Sequence, residues 1–126
     1  MDANIKNIFV VDASYILAFL LEEGNGEVES MFEKYTLGEI HLIAPSLLKY
    51  EVGNSLRTKW IRKKIKAEKA QKIYQFFLNI DIAEEQIDVL KTLQLALTKN
   101  LTFYDASYLF LAKKYKIPLL TLDTKL

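Results

Sequence analysis

Short apolar runs alternate along this chain with longer segments of helical spacing. Ile5 to Val11 carries β-branched residues and stops at Asp12-Ala-Ser, the pattern of a buried strand rather than a surface helix. Ser14 to Leu21 is apolar throughout and runs out near Gly24-Asn25-Gly26, which predicts a helix closed by a turn. A second helix is expected over Glu27 to Leu37, stopped by Gly38. His41 to Ala44 predicts a short buried strand. Pro45-Ser46 then opens a helix to about Trp60, with proline at or before the first turn, where its missing N–H does no harm. Further helices are predicted over Ile65 to Asn79 and Glu84 to Lys99, with a short strand at Ile80 to Ala83 and Asn100 as the C′ residue. Thr102-Phe-Tyr-Asp105 has the form of a capping box for a helix to about Lys116, and Pro118 to Leu122 predicts a last buried strand.

Strands that alternate with helices and are apolar on both faces imply an α/β fold: a three-layer α/β/α sandwich around a central, mostly parallel sheet. The 126 residues suit one domain spanning 1–126, and the 51% hydrophobic content supplies its core. No repeat or linker divides them. The absence of cysteine excludes a disulfide framework and thiolate chemistry. A single His excludes Cys/His zinc sites and a paired-His, metal-free ribonuclease mechanism. The first residues lack the pattern of a signal peptide, and no window approaches the roughly 20 apolar residues of a membrane span. A cytoplasmic protein is expected. The net charge of +1 says little about partners.

The acids say more. Ligands of open parallel sheets bind outside the carboxyl ends of the strands. Asp12 closes the first predicted strand and Asp123 the last, while Asp105 lies in the first turn of a helix whose N-terminus faces the same rim. Glu51 lies within a helix, and its neighbours at three and four residues are Leu47, Leu48, Asn54 and Ser55, with no basic partner. A carboxylate on such a face turns inward, and burial without compensation is costly. Converging acids repel unless protonated or bridged by a hard cation such as Mg²⁺ or Mn²⁺, which prefers oxygen ligands. Plainer readings stand beside this one. Asp12 could cap the next helix, Asp105 could only complete its capping box, Glu51 could be a surface residue, and Asp123 could begin a turn.

Four stretches carry a family resemblance: Phe9-Val-Val-Asp-Ala-Ser-Tyr-Ile-Leu-Ala18, Ala44-Pro-Ser-Leu-Leu-Lys-Tyr-Glu-Val-Gly-Asn54, Leu101-Thr-Phe-Tyr-Asp-Ala-Ser-Tyr-Leu109 and Ile117-Pro-Leu-Leu-Thr-Leu-Asp123. In order and over almost the whole chain, they resemble the PIN-domain family, particularly the short VapC-type toxins. The resemblance implies Asp12, Glu51, Asp105 and Asp123 as catalytic, metal-site acids. It gives Ser14 and Thr121 as supporting hydroxyls and Asn54 as a frequent companion of the Glu. It further implies Mg²⁺- or Mn²⁺-dependent endonucleolytic hydrolysis of RNA by metal-activated water, a homodimer, and a cognate antitoxin. One departure matters: the sequence ends at Leu126, soon after Asp123, where the family usually continues through another helix. Asp123 is therefore expected to be the least firmly held of the acids, and a non-catalytic PIN-like module binding RNA or a protein is the alternative.

Outside the acids, Arg57, Lys59, Arg62, Lys63, Lys64, Lys66, Lys69 and Lys72 form a basic stretch relieved only by Glu68. It reads either as an RNA-binding surface, with Arg57, Lys59, Arg62 and Lys63 nearest the Glu51 helix, or as a solvated hairpin. Trp60 and Tyr74 are expected to pack in the core or a dimer interface rather than stack on bases. The same is expected of Phe76, Phe77, Tyr104, Tyr108 and Phe110. Asp81, Glu84, Glu85 and Asp88 predict a solvated helix start, and His41 a satisfied structural residue. Receiver and haloacid-dehalogenase patterns fit poorly, and no Gly-rich nucleotide-binding motif occurs.

Overall fold

The computed structural model describes residues 7–126. Four strands and six helices follow in the order β1 (Ile8–Val11), α1 (Ala13–Leu20), α2 (Gly26–Thr36), β2 (His41–Ala44), α3 (Leu47–Ile61), α4 (Ala67–Leu78), β3 (Ile82–Glu84), α5 (Val89–Lys99), α6 (Phe103–Tyr115) and β4 (Leu119–Leu120). The sheet runs β3-β2-β1-β4, and all its pairings are parallel. The chain moves one way from β1 through β2 to β3, then returns past β1 to the far edge. With right-handed crossovers that reversal puts α1–α4 on one face and α5–α6 on the other. The packing agrees: α1 meets α2 and α3, α3 meets α4, and α6 lies on α5, β1 and β4. The result is the expected three-layer α/β/α sandwich.

The core sits between these layers. Val10, Val11, Ile16, Leu42, Val52 and Leu111 are buried in it, and Phe19 stacks on Phe32 with ring centroids 4.0 Å apart. Strand residues are apolar on both faces because helices cover both.

Several local boundaries differ from those predicted. The first strand begins at Ile8, and Ile5 and Lys6 lie outside the described residues, as does the expected lack of a leader in residues 1–6. The expected helix from Glu84 starts only at Val89. Ile82, Ala83 and Glu84 instead pair with Leu42, Ile43 and Ala44, and Asp88 caps α5 by accepting from the Lys91 N–H. A sheet edge in need of a partner overrides helix propensity here. Asp81, Glu84 and Glu85 consequently do not form a helix start: Glu84 ion-pairs with Lys49 at 2.9 Å, and Glu85 accepts from the Tyr115 hydroxyl. His41 is exposed at the start of β2 rather than satisfied inside. Phe76, Tyr104 and Trp60 are also exposed, whereas Phe77 and Tyr108 are core residues. Asn100 closes α5 in the left-handed conformation, as its position predicts.

Candidate active site

The reversal of strand direction falls beside β1, with β2 on one side and β4 on the other. Such a switch point opens a crevice at the carboxyl ends of the strands, because the connections leave in opposite directions. Asp12 follows β1 directly at this point. It caps α1, and its side chain is buried at 4% exposure. Three donors offset that burial: the Tyr15 N–H at 3.1 Å and the Ser14 hydroxyl at 2.7 Å reach one carboxylate oxygen, and the Thr121 hydroxyl reaches the other. The capping and the site readings of Asp12 are therefore compatible, since one carboxylate takes both positions.

The hydroxyls have a fixed direction. Ser14 Oγ accepts from the Leu122 N–H at 3.0 Å, and Thr121 Oγ1 accepts from the Asp123 N–H at 2.9 Å. With a lone pair of each engaged by an amide, each hydroxyl proton is free to point at Asp12. The network thus fastens the turn after β4 to the start of α1. This changes the expected last strand: only Leu119 and Leu120 pair with β1, and Thr121 to Asp123 bond to side chains instead of the sheet. Asp123 is held at both ends, because its carboxylate accepts from the Lys125 N–H and its carbonyl from the Leu126 N–H. The final turn is tied rather than loose.

Glu51 comes from the first half of α3 and Asp105 from the first turn of α6, where the Thr102 hydroxyl accepts from the Asp105 N–H. Burial pushes the Glu51 carboxyl above its usual range, and the nearby charges of Asp105 and Asp12 push it further; a hydrogen bond from Tyr108 opposes them. Asp105 is likewise raised by burial, then by Asp123 and Asp12, with Thr102 and Lys125 acting the other way. The four predicted acids therefore lie in one electrostatic field, in which Lys125 is the cation felt by Asp105. Asn54, one turn beyond Glu51, is exposed. Arg57 lies further along α3, and Arg62 and Lys63 lie in the turn that follows it, all three exposed; Lys59 is half-buried.

The donor set is all oxygen, which suits a hard divalent cation rather than zinc or copper. Among the described residues no three acids or imidazoles come close enough to enclose an ion. Any ion held there would keep part of its water shell, as Mg²⁺ commonly does when only one or two carboxylates bind it. Asp12, buried at the switch point, and Asp105, at the start of α6, are carboxylates on the rim at the carboxyl ends of β1 and β4.

The sequence reading missed one participant. Tyr108 is 1% exposed, and its hydroxyl donates to Glu51 Oε1 at 2.5 Å. Its signal was its place one turn beyond Asp105, on the same helical face.

Fold and site together define a parallel α/β/α domain with an acidic centre at the switch point of its sheet. The chain belongs to the PIN domain family, whose model matches residues 9–126. It is 34% identical over 123 residues to Ribonuclease VapC3 of Pyrobaculum aerophilum, covering 93% of this chain and 90% of that protein. Two solved structures share the fold. The PAE2754 protein of Pyrobaculum aerophilum superposes with a TM-score of 0.75 at 22% identity, over 97% of this chain and 84% of that one. VapC20 of Mycobacterium tuberculosis, a toxin that cleaves the sarcin–ricin loop, gives a TM-score of 0.62 at 15% identity, over 92% of this chain and 90% of that one.

Proposed function

We propose that this protein is a divalent-metal-dependent endoribonuclease and the toxin of a type II toxin–antitoxin pair. The observation that carries the reading is the acidic field at the sheet's switch point, where burial and mutual repulsion raise both Glu51 and Asp105. A site that destabilises its own anions is built to receive a cation. Kinship with a ribonuclease at 34% identity supplies the substrate class. When bound, Mg²⁺ or Mn²⁺ would activate water and neutralise the charge that develops on a phosphodiester. The chain's own residues do the positioning. Asp12 is fixed by Ser14, Thr121 and the Tyr15 amide, Glu51 by Tyr108, and Asp123 by the turn that Thr121 anchors. A toxin that cuts the cell's own RNA would act in the cytoplasm; among the described residues no helix is long and apolar enough to cross a membrane.

The same reading includes a homodimer. α5 presents Val89, Leu90, Leu93 and Leu97 to solvent at 65%, 62%, 44% and 75% exposure, a stripe on the helix face turned away from α6. Four such side chains approach the few hundred Å² of a typical functional apolar patch. An antiparallel two-fold pairing of α5 sets Leu90 against Leu97 of a second copy, with Leu93 near the axis.

The test is cleavage of an end-labelled RNA pool in Mn²⁺, Mg²⁺ or chelator, comparing the native chain with Asp105→Asn. Products that need the metal and vanish in the variant are expected. Cutting that persists in chelator, or equally in the variant, refutes the reading.

A further inference from the structure

On the far flank of α3 from the acids, α3 and α4 enclose an open groove of about 480 Å³. Its walls are aromatic and its floor is small: Trp60 and Tyr74 face it, with Ala67 and Ala70 between them and Arg57 and Gln71 at the rim. One wall is fixed in advance. The Tyr74 hydroxyl donates to the Lys49 carbonyl at 2.7 Å, and its ring lies against Gly53, where a Cβ would stand 3.4 Å from the ring edge. The other wall, Trp60, is 49% exposed, a large apolar surface that the fold leaves uncovered.

We infer that this groove stacks an unpaired base of a single-stranded RNA whose backbone crosses α3 from the acidic centre; the inference rests on the ribonuclease reading for the other end of that strand. The geometry of one helix supplies the path. At 100° per residue, Gly53 and Trp60 lie about 200° and 180° round α3 from Glu51, while Arg57 and Asn54 lie about 240° and 300° round it, on the solvent side between the two flanks. A strand leaving Glu51 meets exposed Asn54, then exposed Arg57, then the groove, a passage of about 10 Å across the helix and about 14 Å along it to Trp60. The charge around the groove fits this occupant. From Arg57 to Lys72 the hairpin is basic but for Glu68, which suits a phosphate backbone and not an acid-poor apolar surface. Bases of any identity stack on aromatic rings, so the groove adds affinity and register with little sequence preference, while Arg57, Gln71 and Gln75 offer polar groups to the base edge.

Trp60 is the only tryptophan in the chain, so its emission reports on the groove alone. The native protein is titrated in EDTA with unstructured oligoadenylate and, separately, with a duplex RNA of equal length. Binding is followed by anisotropy of the labelled RNA and stacking by Trp60 fluorescence. Saturable quenching by the single strand and none by the duplex is expected. Ala67→Leu, at an exposed position between the two rings, should fill the groove and weaken the single strand about tenfold or more with unchanged circular dichroism. Three results overturn the inference: single-strand binding without quenching, Ala67→Leu binding as tightly as the native chain, or no single-strand binding at all. An emission shift that follows protein concentration without RNA also overturns it, and makes the groove a protein interface. Cleavage in Mn²⁺ is scored on the same samples. Quenching without cutting sinks the nuclease reading and leaves the groove; cutting without quenching does the reverse.

Discussion

Tyr108 and Glu51, 57 residues apart in sequence, are joined by a 2.5 Å hydrogen bond from the phenol to the carboxylate. The bond ties α6 to α3 across the carboxyl edge of the sheet, so the two helical layers meet at the acidic centre. Burial pushes the Tyr108 phenol far above its usual range, and the Glu51 charge adds to the effect. The phenol thus stays a donor at any working pH, and Glu51 Oε1 is turned away from rotation into solvent.

Tyr108→Phe keeps the buried ring and removes only the donor. Outer-shell partners of metal-site carboxylates are typically worth 10–100-fold in affinity or activity. Mn²⁺ affinity, read from the signal of free Mn²⁺ by electron paramagnetic resonance, should fall about tenfold, and cleavage with it. Equal Mn²⁺ binding by the variant would show that Glu51 needs no such support.

The pH dependence of stability follows from the raised carboxyls. Burial makes Glu51 and Asp105 hold protons more tightly in the folded chain than in the unfolded one, where they titrate in the ordinary carboxylate range. The folded state therefore binds more protons than the unfolded one as pH rises above that range, and stability is lost across that window. In EDTA, Glu51→Gln should gain melting temperature over the native chain as pH rises above the ordinary glutamate range, by about 2–5 °C, and level off once the carboxyl is ionised. Adding Mg²⁺ should erase the gain. A difference that stays flat with pH in EDTA would mean that Glu51 is not under this electrostatic load.

Thr121→Val removes a hydroxyl that donates to buried Asp12 and accepts from the Asp123 amide. Leaving a buried carboxylate short of a donor costs about 1–3 kcal/mol. A lower midpoint in urea and at least tenfold slower cleavage are expected together. Cleavage unchanged in a destabilised variant would separate the turn's structural part from any part in the site.

The dimer reading is tested at Leu93, near the middle of the exposed stripe on α5. Leu93→Lys should yield a monomer by sedimentation velocity, with unchanged circular dichroism, since the side chain is half-exposed and away from the core. A native chain that sediments as a monomer at micromolar concentration would refute it outright.

Tyr15 offers a test within the core. Its hydroxyl is buried and, among the described residues, meets no hydrogen-bond partner, and burial pushes its pKa up to about 12. Tyr15→Phe should stabilise the protein by about 1 kcal/mol in chemical denaturation, because an unsatisfied polar atom is removed at nearly constant volume. Destabilisation of similar size would reveal a buried water bonded to that hydroxyl.

Much of this molecule is decided within a few residues of any point, and that part is legible in the sequence. The β-branched run before Asp12, the Thr102 cap and the left-handed Asn100 depend on local periodicity, sterics and backbone hydrogen bonds, so the alternation of strands and helices and the placing of Asp12 and Asp105 at element starts follow directly. The parallel order of the strands then puts those starts on one rim. Tertiary packing decided the rest. Glu84 joined a strand because β2 had an open edge, Trp60 was left outside because α3 and α4 part at the groove, and the turn from Thr121 to Asp123 bonded to Ser14 and Asp12 because β4 lies next to β1. Above all, the Tyr108 phenol found Glu51 only when two layers closed over one edge of the sheet, a meeting of side chains that no short-range pattern encodes.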